Sequence, residues 1–463
     1  MKDHPARVVR APRLPDDSPH VSAVIVGAGA CGLTAAVRLR EAGIDCVLLE
    51  RDAVPSGSTA LSSGFIPAAG TRLQKSLGIE DSQATFAEDV MAKTHDRAAP
   101  QLVQAYTQAV AQAIDALERH GIVFEVLDGF LYPGHRVRRM HAVPEHTGAA
   151  LMAGLQRVAA ALGADLLTEA LVRELWLDDA GRVLGVGYQR PDGRVEHLGC
   201  DHLLLACNGF GGNVAMVREL LPAMRDAAFA GHVGNDGSAI AWGRALGARL
   251  ADLTAYQGHG SWVTPQGALM TWAPMMQGAV QVNARGERFH DETQGYSEAA
   301  VHVLAQPGGV AWNVFDDPLL KLVRSFPDFA EAERAGALRS AADVPALAAL
   351  IGCDAAVLAA TLRGVAPGVA DPHGRRFTRA LQPPYHAVKV TGALFHTQGG
   401  LDVDEHCRVL RADGSPLPNL LAAGGAARGV SGDEVWGYLS GNGLLSAVGG
   451  GWVAAGTVAG VSA

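Results

Sequence analysis

Three glycines, Gly27, Gly29 and Gly32, stand in the pattern GxGxxG, and an acid, Glu50, follows 18 residues beyond the last of them. Residue types in that order suit a dinucleotide. Gly27 permits a tight turn, Gly29 lets the backbone approach a pyrophosphate, and Gly32 lets a helix pack close to the preceding strand. The helix N-terminus then faces the phosphates, and the acid accepts ribose hydroxyls. An acid there also disfavours a 2′-phosphate, which argues against NADP. A bare glycine motif is weak; its setting gives it weight. VSAVIV ahead of it reads as a buried strand, the next stretch as a helix with small residues on one face, and DCVLLE as a second strand.

The surrounding elements must hold that site in place. Pro55–Thr71 is too long and too rich in Gly and Ser for a plain turn, and its N–H groups and hydroxyls suit a second anchor on a cofactor. A helical region runs to about His120. VLGVGYQR, a polar turn at PDGR and VEHLGCDHLLLAC read as strands returning to the core, ending in GFGGN. Residues 249–380 differ, with more Trp and Met and looser periodicity, and read as an inserted domain. From Pro383 the glycine-rich style returns, with LLAAGGAARG as another strand-to-turn and SGNGLLSAVGGGWVAAG as a closing helix. The expected class is α/β: a Rossmann-type domain formed by residues 21–248 and 381–463, an inserted α+β domain over 249–380, and a flexible tail over 1–20.

Composition narrows the function. The chain has 463 residues, 48% hydrophobic and 18% charged, with a net charge of −9, so nucleic acid and anionic membranes are not expected partners. No stretch reads as a membrane span or a signal peptide, and a cytoplasmic location is expected. Six cysteines show no CxxC or CxxCH, which argues against zinc ribbons, thioredoxin-type sites and attached haem. His141, His146 and the HTQGG segment lack metal-ligand spacing, so no metal is expected. Arg136, Arg138 and Arg139 in GHRVRRMH read as solvated.

The order of motifs resembles the flavoprotein subunits of fumarate reductase and succinate dehydrogenase, together with the 3-ketosteroid dehydrogenases. The resemblance covers nearly the whole chain after Val21 and rests on GAGACG, GSTALSSGFIPAAGT, LLACNGFGGN, GNDG, NARGERFHDE, FHTQGGL and AAGG…SGNGLL. It implies bound FAD, a glutathione-reductase-like FAD domain in two parts, and a capping domain closing over the flavin. The residues it places on FAD are Gly27, Gly29, Gly32, Glu50, Arg51, Ser58, Thr59, Ser63, Gly64, Val172, Asn208, Asp236, Gly424, Gly425, Ser440, Asn442, Leu444 and Leu445. No histidine occurs in Ser56–Gly64, where the succinate dehydrogenase pattern attaches flavin, so the FAD is expected to be non-covalent. The family often has an acid where Gly425 stands, and Asp433 is the candidate to replace it.

The implied catalytic machinery departs from the fumarate pattern. His259 in AYQGHGSW and His396 in LFHTQGG match family histidines. Trp272 and Met275 stand where that pattern has a relay glutamate and arginine, Tyr296 where it has the proton-donating arginine, and Tyr438 where it has a carboxylate-binding arginine. A guanidinium grips carboxylates at any working pH, whereas a phenol is neutral at pH 7. Tyr296, Tyr438, His259 and His396 are therefore the expected catalytic residues, and Trp272, Met275 and Phe65 the expected pocket. The resemblance to ketosteroid dehydrogenases implies removal of a proton α to a ketone by one tyrosine, with hydride passing to flavin N5 and the second tyrosine or a backbone N–H near Ser440–Gly443 bonding the carbonyl oxygen. His259 is the candidate neighbouring cation or donor that shifts the phenol. The expected activity is introduction of a C=C bond α,β to the carbonyl of a cyclic ketone, steroid or oxocyclohexane. Reduction of an activated alkene such as a 2-enoate is the alternative, and a non-catalytic flavoprotein a third. Electrons are expected to pass to an outside acceptor: a quinone, oxygen or a carrier protein.

Overall fold

The computed structural model describes residues 6–128 and 131–461. Its larger sheet has nine strands, in the order Arg7–Arg10, Leu171–Leu177, Val183–Gln189, Val195–Leu205, His20–Val26, Cys46–Leu49 and Asp165–Leu167, with Pro416–Ala422 also on Val195–Leu205 and Arg408–Leu410 beyond it. The apolar run of His20–Val26 pairs parallel with Cys46–Leu49, which pairs parallel with Asp165–Leu167. Val195–Leu205 is shared between two layers. Its first half pairs antiparallel with Val183–Gln189, and its second half lies parallel to His20–Val26 and Pro416–Ala422. The predicted return from a small antiparallel meander to a parallel core is therefore a single long strand.

Helix Ala30–Glu41 begins at Gly29 without a side-chain cap, and every residue from Ala30 to Leu39 is buried. It packs on helix Gly450–Ala459, where small residues let the two axes approach. At Gly27, φ is 104°, and a Cβ would lie 2.6 Å from the carbonyl oxygen of Ala206, so the turn over the end of the neighbouring strand requires glycine.

The second sheet has seven strands. Its spine is Ala268–Leu269, Tyr256–Val263, Tyr385–Thr397, Val310–Asp316 and Val280–Val282, with Ala228–Phe229 and Arg339–Ala341 also on Tyr385–Thr397. Its own buried cluster includes Met270, Trp272, Met275, Val314, Phe315 and Phe329. Helix Tyr296–Leu304 lies across Tyr256–Val263 at close range. Cβ atoms at Gly258 and Gly260 would come within 2.7 and 2.6 Å of the Ala300 and Ala299 side chains. Glycine at these strand positions lets the helix seat Tyr296 beside the strand that carries His259.

Three expectations need correction. Arg7–Arg10 is not loose tail: it pairs parallel with Glu174–Leu177, and Arg7 bonds the buried Glu174 carboxylate. Residues 1–5 of the expected tail lie outside the described residues. Tyr385–Thr397 was expected with the first domain but forms the centre of the second sheet, because its alternating pattern is completed by strands from the insert. Arg139 is not solvated. Its side chain is fully buried and bonds Asp81 at 3.0 Å and Asp89 at 2.7 Å. Arg136 and Arg138 do remain exposed, paired with Glu88, Asp89 and Asp128. Arg139→Ala is expected to destabilise the fold by about 3–5 kcal/mol, since it leaves the buried Asp81 without a guanidinium and Asp89 with Arg136 alone. Denaturant unfolding checks this, and a loss under 1 kcal/mol would contradict it.

No single helix among the described residues is long and apolar enough to cross a membrane.

Candidate active site

One cleft runs from the glycine turn of the first sheet to the face of the second, lined by residues of both. The glycine-turn end is lined by Gly27, Gly29, Glu50, Arg51, Val172, Asn208 and Asp236. Glu50 is held there by two backbone amides, Ala28 N on Oε2 and Asp52 N on Oε1, each at 3.0 Å. Arg51 bonds the Gly234 carbonyl at 2.8 Å and Asp236 at 3.3 Å. The Gly- and Ser-rich loop reaches back to the helix start: Thr59 Oγ1 accepts from Ala30 N at 3.3 Å, and Ser58 Oγ accepts from Asn208 and Asn235.

The middle of the cleft is lined by Ser63, Gly64, Phe65, Gly424, Gly425, Ser440 and Leu444, and also by Gln398 and Ser446. Ser446 Oγ is buried there without a hydrogen-bond partner among the described residues, so it can serve a polar group bound in the cleft. A Cβ at position 425 would collide with Asn208 Oδ1, so an acid there would require that side chain to move. Asp433 does not take over that role. It pairs with Arg97 at the surface, outside the cleft lining. Asn442 and Leu445 are buried behind the cleft rather than in its wall; Asn442 donates to Val430 O and Ser431 Oγ and so braces the loop.

The far end gathers the aromatic residues. His259 sits where the pairing of Tyr256–Val263 with Tyr385–Thr397 slips register, and such a bulge re-aims a side chain. Its ring stacks on Tyr296 at 4.8 Å between centroids, and Trp272 meets it edge-on at 5.8 Å. Tyr438 lies at 6.0 Å from Tyr296 and His396 at 5.6 Å from Tyr438. Tyr132, Leu269 and Asp328 complete this end, and nothing in the sequence marked them as neighbours. Met275 is absent from the lining. It is buried beneath Trp272 in the second core, its carbonyl accepting from Arg375.

Electrostatics separate the four expected catalytic groups. Burial lowers the His259 pKa to about 3 and that of His396 to about 4, so both are neutral imidazoles at pH 7. His259 Nδ1 accepts from Ser261 N at 3.1 Å. The expected cationic role for His259 is overturned: a fully buried ring facing aromatic neighbours has nothing to hold a charge. Burial raises the Tyr296 pKa to about 12, although hydrogen bonds from Ser440, Tyr438 and the Gly441 backbone pull it down. Tyr438 is raised well above the ordinary phenol value, by burial first and then by Tyr296. Gly443 N donates to the Tyr438 hydroxyl at 3.3 Å. The bond between the two phenols lowers Tyr296 and raises Tyr438, so Tyr438 is the donor and Tyr296 the acceptor.

The positive charge that might have gripped a dicarboxylate is elsewhere. Among the described lining residues Arg51 is the single arginine, and it stands beside Glu50. Arg288 lies in NARGERFHDE and Arg375 is distant from it in sequence, but both are bound to the buried Glu292. Burial alone would raise the pKa of Glu292; the two guanidinium groups overcome it and hold it at about 2.

A family model described as an FAD binding domain matches residues 22–444. The chain belongs to this FAD-binding family. It is an FAD-dependent oxidoreductase, and the glycine cradle, Glu50 and the unpartnered Ser446 fit that cofactor. The NADH:fumarate oxidoreductase of Klebsiella pneumoniae is 28% identical over 88% of this chain. The chain spans only 44% of that relative's length. The 4-oxocyclohexanecarboxylate 2-dehydrogenase of Sinomonas cyclohexanicum is 26% identical, with 87% of each protein covered. Among solved structures, a flavocytochrome c3 fumarate reductase in its open conformation superposes with a TM-score of 0.80 at 27% identity, covering 96% of this chain and 79% of its own. The 3-ketosteroid-Δ4-(5α)-dehydrogenase of Rhodococcus jostii superposes at 0.77 with 24% identity, covering 98% and 99%. The chain is thus similar in sequence to fumarate reductases and shares its fold with a ketosteroid dehydrogenase.

The expected non-covalent attachment gives a direct prediction. Acid precipitation should release all of the yellow chromophore into the supernatant, read by its visible absorbance; colour that stays with the washed pellet would contradict it.

Proposed function

We propose that the chain introduces a C=C bond α,β to the carbonyl of a cyclic ketone, and that residues of the second sheet form a cap over the flavin. The observation that carries this reading is a pocket walled by Tyr132, Tyr296, Tyr438 and Trp272 with no guanidinium at that end. Such a wall accepts a neutral ring and offers hydroxyl donors to one oxygen. It gives a dicarboxylate no bidentate partner, and desolvating a dianion there is costly.

FAD supplies the hydride acceptor for this chemistry. The chain's own residues handle the proton and the oxygen. Tyr296, which accepts from Tyr438, takes the α-proton in its phenolate form. Tyr438 has one proton to share. In the resting pocket it serves the Tyr296 oxygen; with substrate present it turns to the carbonyl oxygen, and Ser440 keeps the Tyr296 contact. A donor placed on a developing oxyanion is worth about 10²–10³ in rate. His259, neutral and stacked, fixes the plane of the Tyr296 ring. The electrons leave through an outside acceptor, a quinone, oxygen or a carrier protein.

One observation favours a second reading. A phenol with a pKa of about 12 is protonated at pH 7 and is a ready proton donor, as reduction of an activated alkene requires. Anaerobic mixing with a substrate panel tests the first reading. A 3-ketosteroid, cyclohexanone and succinate are each added to the oxidised enzyme, and flavin bleaching is followed. Bleaching by a ketone is expected; bleaching by succinate alone would overturn the proposal.

A further inference from the structure

Four carboxylates line the cleft among the described residues. Glu50, Asp52 and Asp236 sit at the glycine-turn end, in the neighbourhood of Arg51. The fourth, Asp328, enters from the opposite side, in the first turn of helix Pro327–Arg334 of the second domain. Its Oδ2 accepts a hydrogen bond from Ser63 Oγ at 3.1 Å, across the junction of the two domains. The described residues supply no partner for Oδ1. Tyr132 connects it to the chemistry: Tyr132, Tyr296 and Asp328 line the same cleft.

The geometry points to Asp328 as the acceptor for a hydroxyl group at the end of the substrate remote from its carbonyl, and as the group that turns away a substrate carboxylate there. The inference rests on the ketone reading above and adds the substrate's second functional group. An ionised carboxylate only accepts hydrogen bonds, so its complement is a donor. A substrate alcohol supplies one. A substrate carboxylate supplies none, and two carboxylates in one site repel unless one takes up a proton. No lining guanidinium at this end is present to relieve that repulsion. Burial raises the Asp328 pKa, while the Ser63 hydroxyl works the other way and favours the ionised form.

The test compares two cyclohexanones on the holoenzyme: 4-hydroxycyclohexanone and 4-oxocyclohexanecarboxylate. Dissociation constants come from perturbation of the flavin spectrum, and rates from anaerobic bleaching. The wild type is expected to prefer the alcohol. Asp328→Asn keeps an oxygen for Ser63 but removes the charge, and is expected to shift the ratio of dissociation constants toward the carboxylate by about 10- to 100-fold. Asp328→Glu keeps the charge but displaces the contact with Ser63; it should retain the wild-type preference. An equal shift in both variants would mean that Asp328 acts by holding the cap, and the inference falls. An unchanged ratio in Asp328→Asn, with ketones still bleaching the flavin, sinks this inference alone. If no ketone bleaches the flavin, the ketone reading falls and takes this one with it.

Discussion

Tyr296→Phe should bind its full complement of FAD and lose ketone-driven flavin bleaching by about 10²–10⁴-fold, the range for removal of a positioned acid–base group. The ring stays, so the stack on His259 and the contact with Tyr438 are preserved. What is lost is the oxygen on which Ser440, Tyr438 and the Gly441 backbone converge. FAD content and melting temperature serve as controls, because Tyr296 belongs to the second core and the dinucleotide end of the cleft does not touch it. Bleaching at the wild-type rate would remove Tyr296 from the reaction. Tyr438→Phe should be milder, since Ser440 and the Gly443 amide remain near the same oxygen positions.

The bleaching rate at saturating ketone should rise about tenfold per pH unit from pH 7 to pH 10. The active form of a base is the deprotonated one. With its pKa raised to about 12, Tyr296 is protonated throughout this window, and its phenolate fraction grows tenfold with each unit. The groups that face it leave the slope intact. His259 and His396 titrate near 3 and 4, below the window, and Tyr132 and Tyr438 are pushed up by burial. Glu298 is raised by burial, against its pairing with Lys93. Alkene reduction needs the protonated phenol instead and predicts a flat profile over the same range. A flat profile for ketone oxidation would mean that Tyr296 is not the base. The same measurement therefore separates the two readings of the site by the sign of one group's role.

The cofactor end was legible because its determinants are local. Gly27, Gly29, Gly32 and Glu50 lie on one strand–turn–helix–strand unit, and a backbone turn that admits only glycine leaves a mark in the sequence. The exchange of charged for aromatic residues at Trp272, Tyr296 and Tyr438 was legible as well, since residue type alone decides whether a guanidinium is present. Their meeting at one end of a cleft follows from the glycine groove under helix Tyr296–Leu304 and from the long strand Tyr385–Thr397.

Other features depended on which distant segments meet. Arg139 lies in a run of basic residues that looks solvated, yet it turns inward because Asp81 and Asp89 wait there. His259 looks like a cation until burial removes its proton. Met275 occupies a motif position but faces the core, one residue type among many that a helix can bury. Arg288 and Arg375 are consumed by Glu292, and Asp328 reaches the cleft only because its helix closes against the Ser63 loop. Residue identities thus determined the cofactor and the absence of fixed positive charge, whereas charge states, neighbours and the direction each side chain faces came from tertiary packing, because desolvation and long-range pairing act between segments that no local pattern connects.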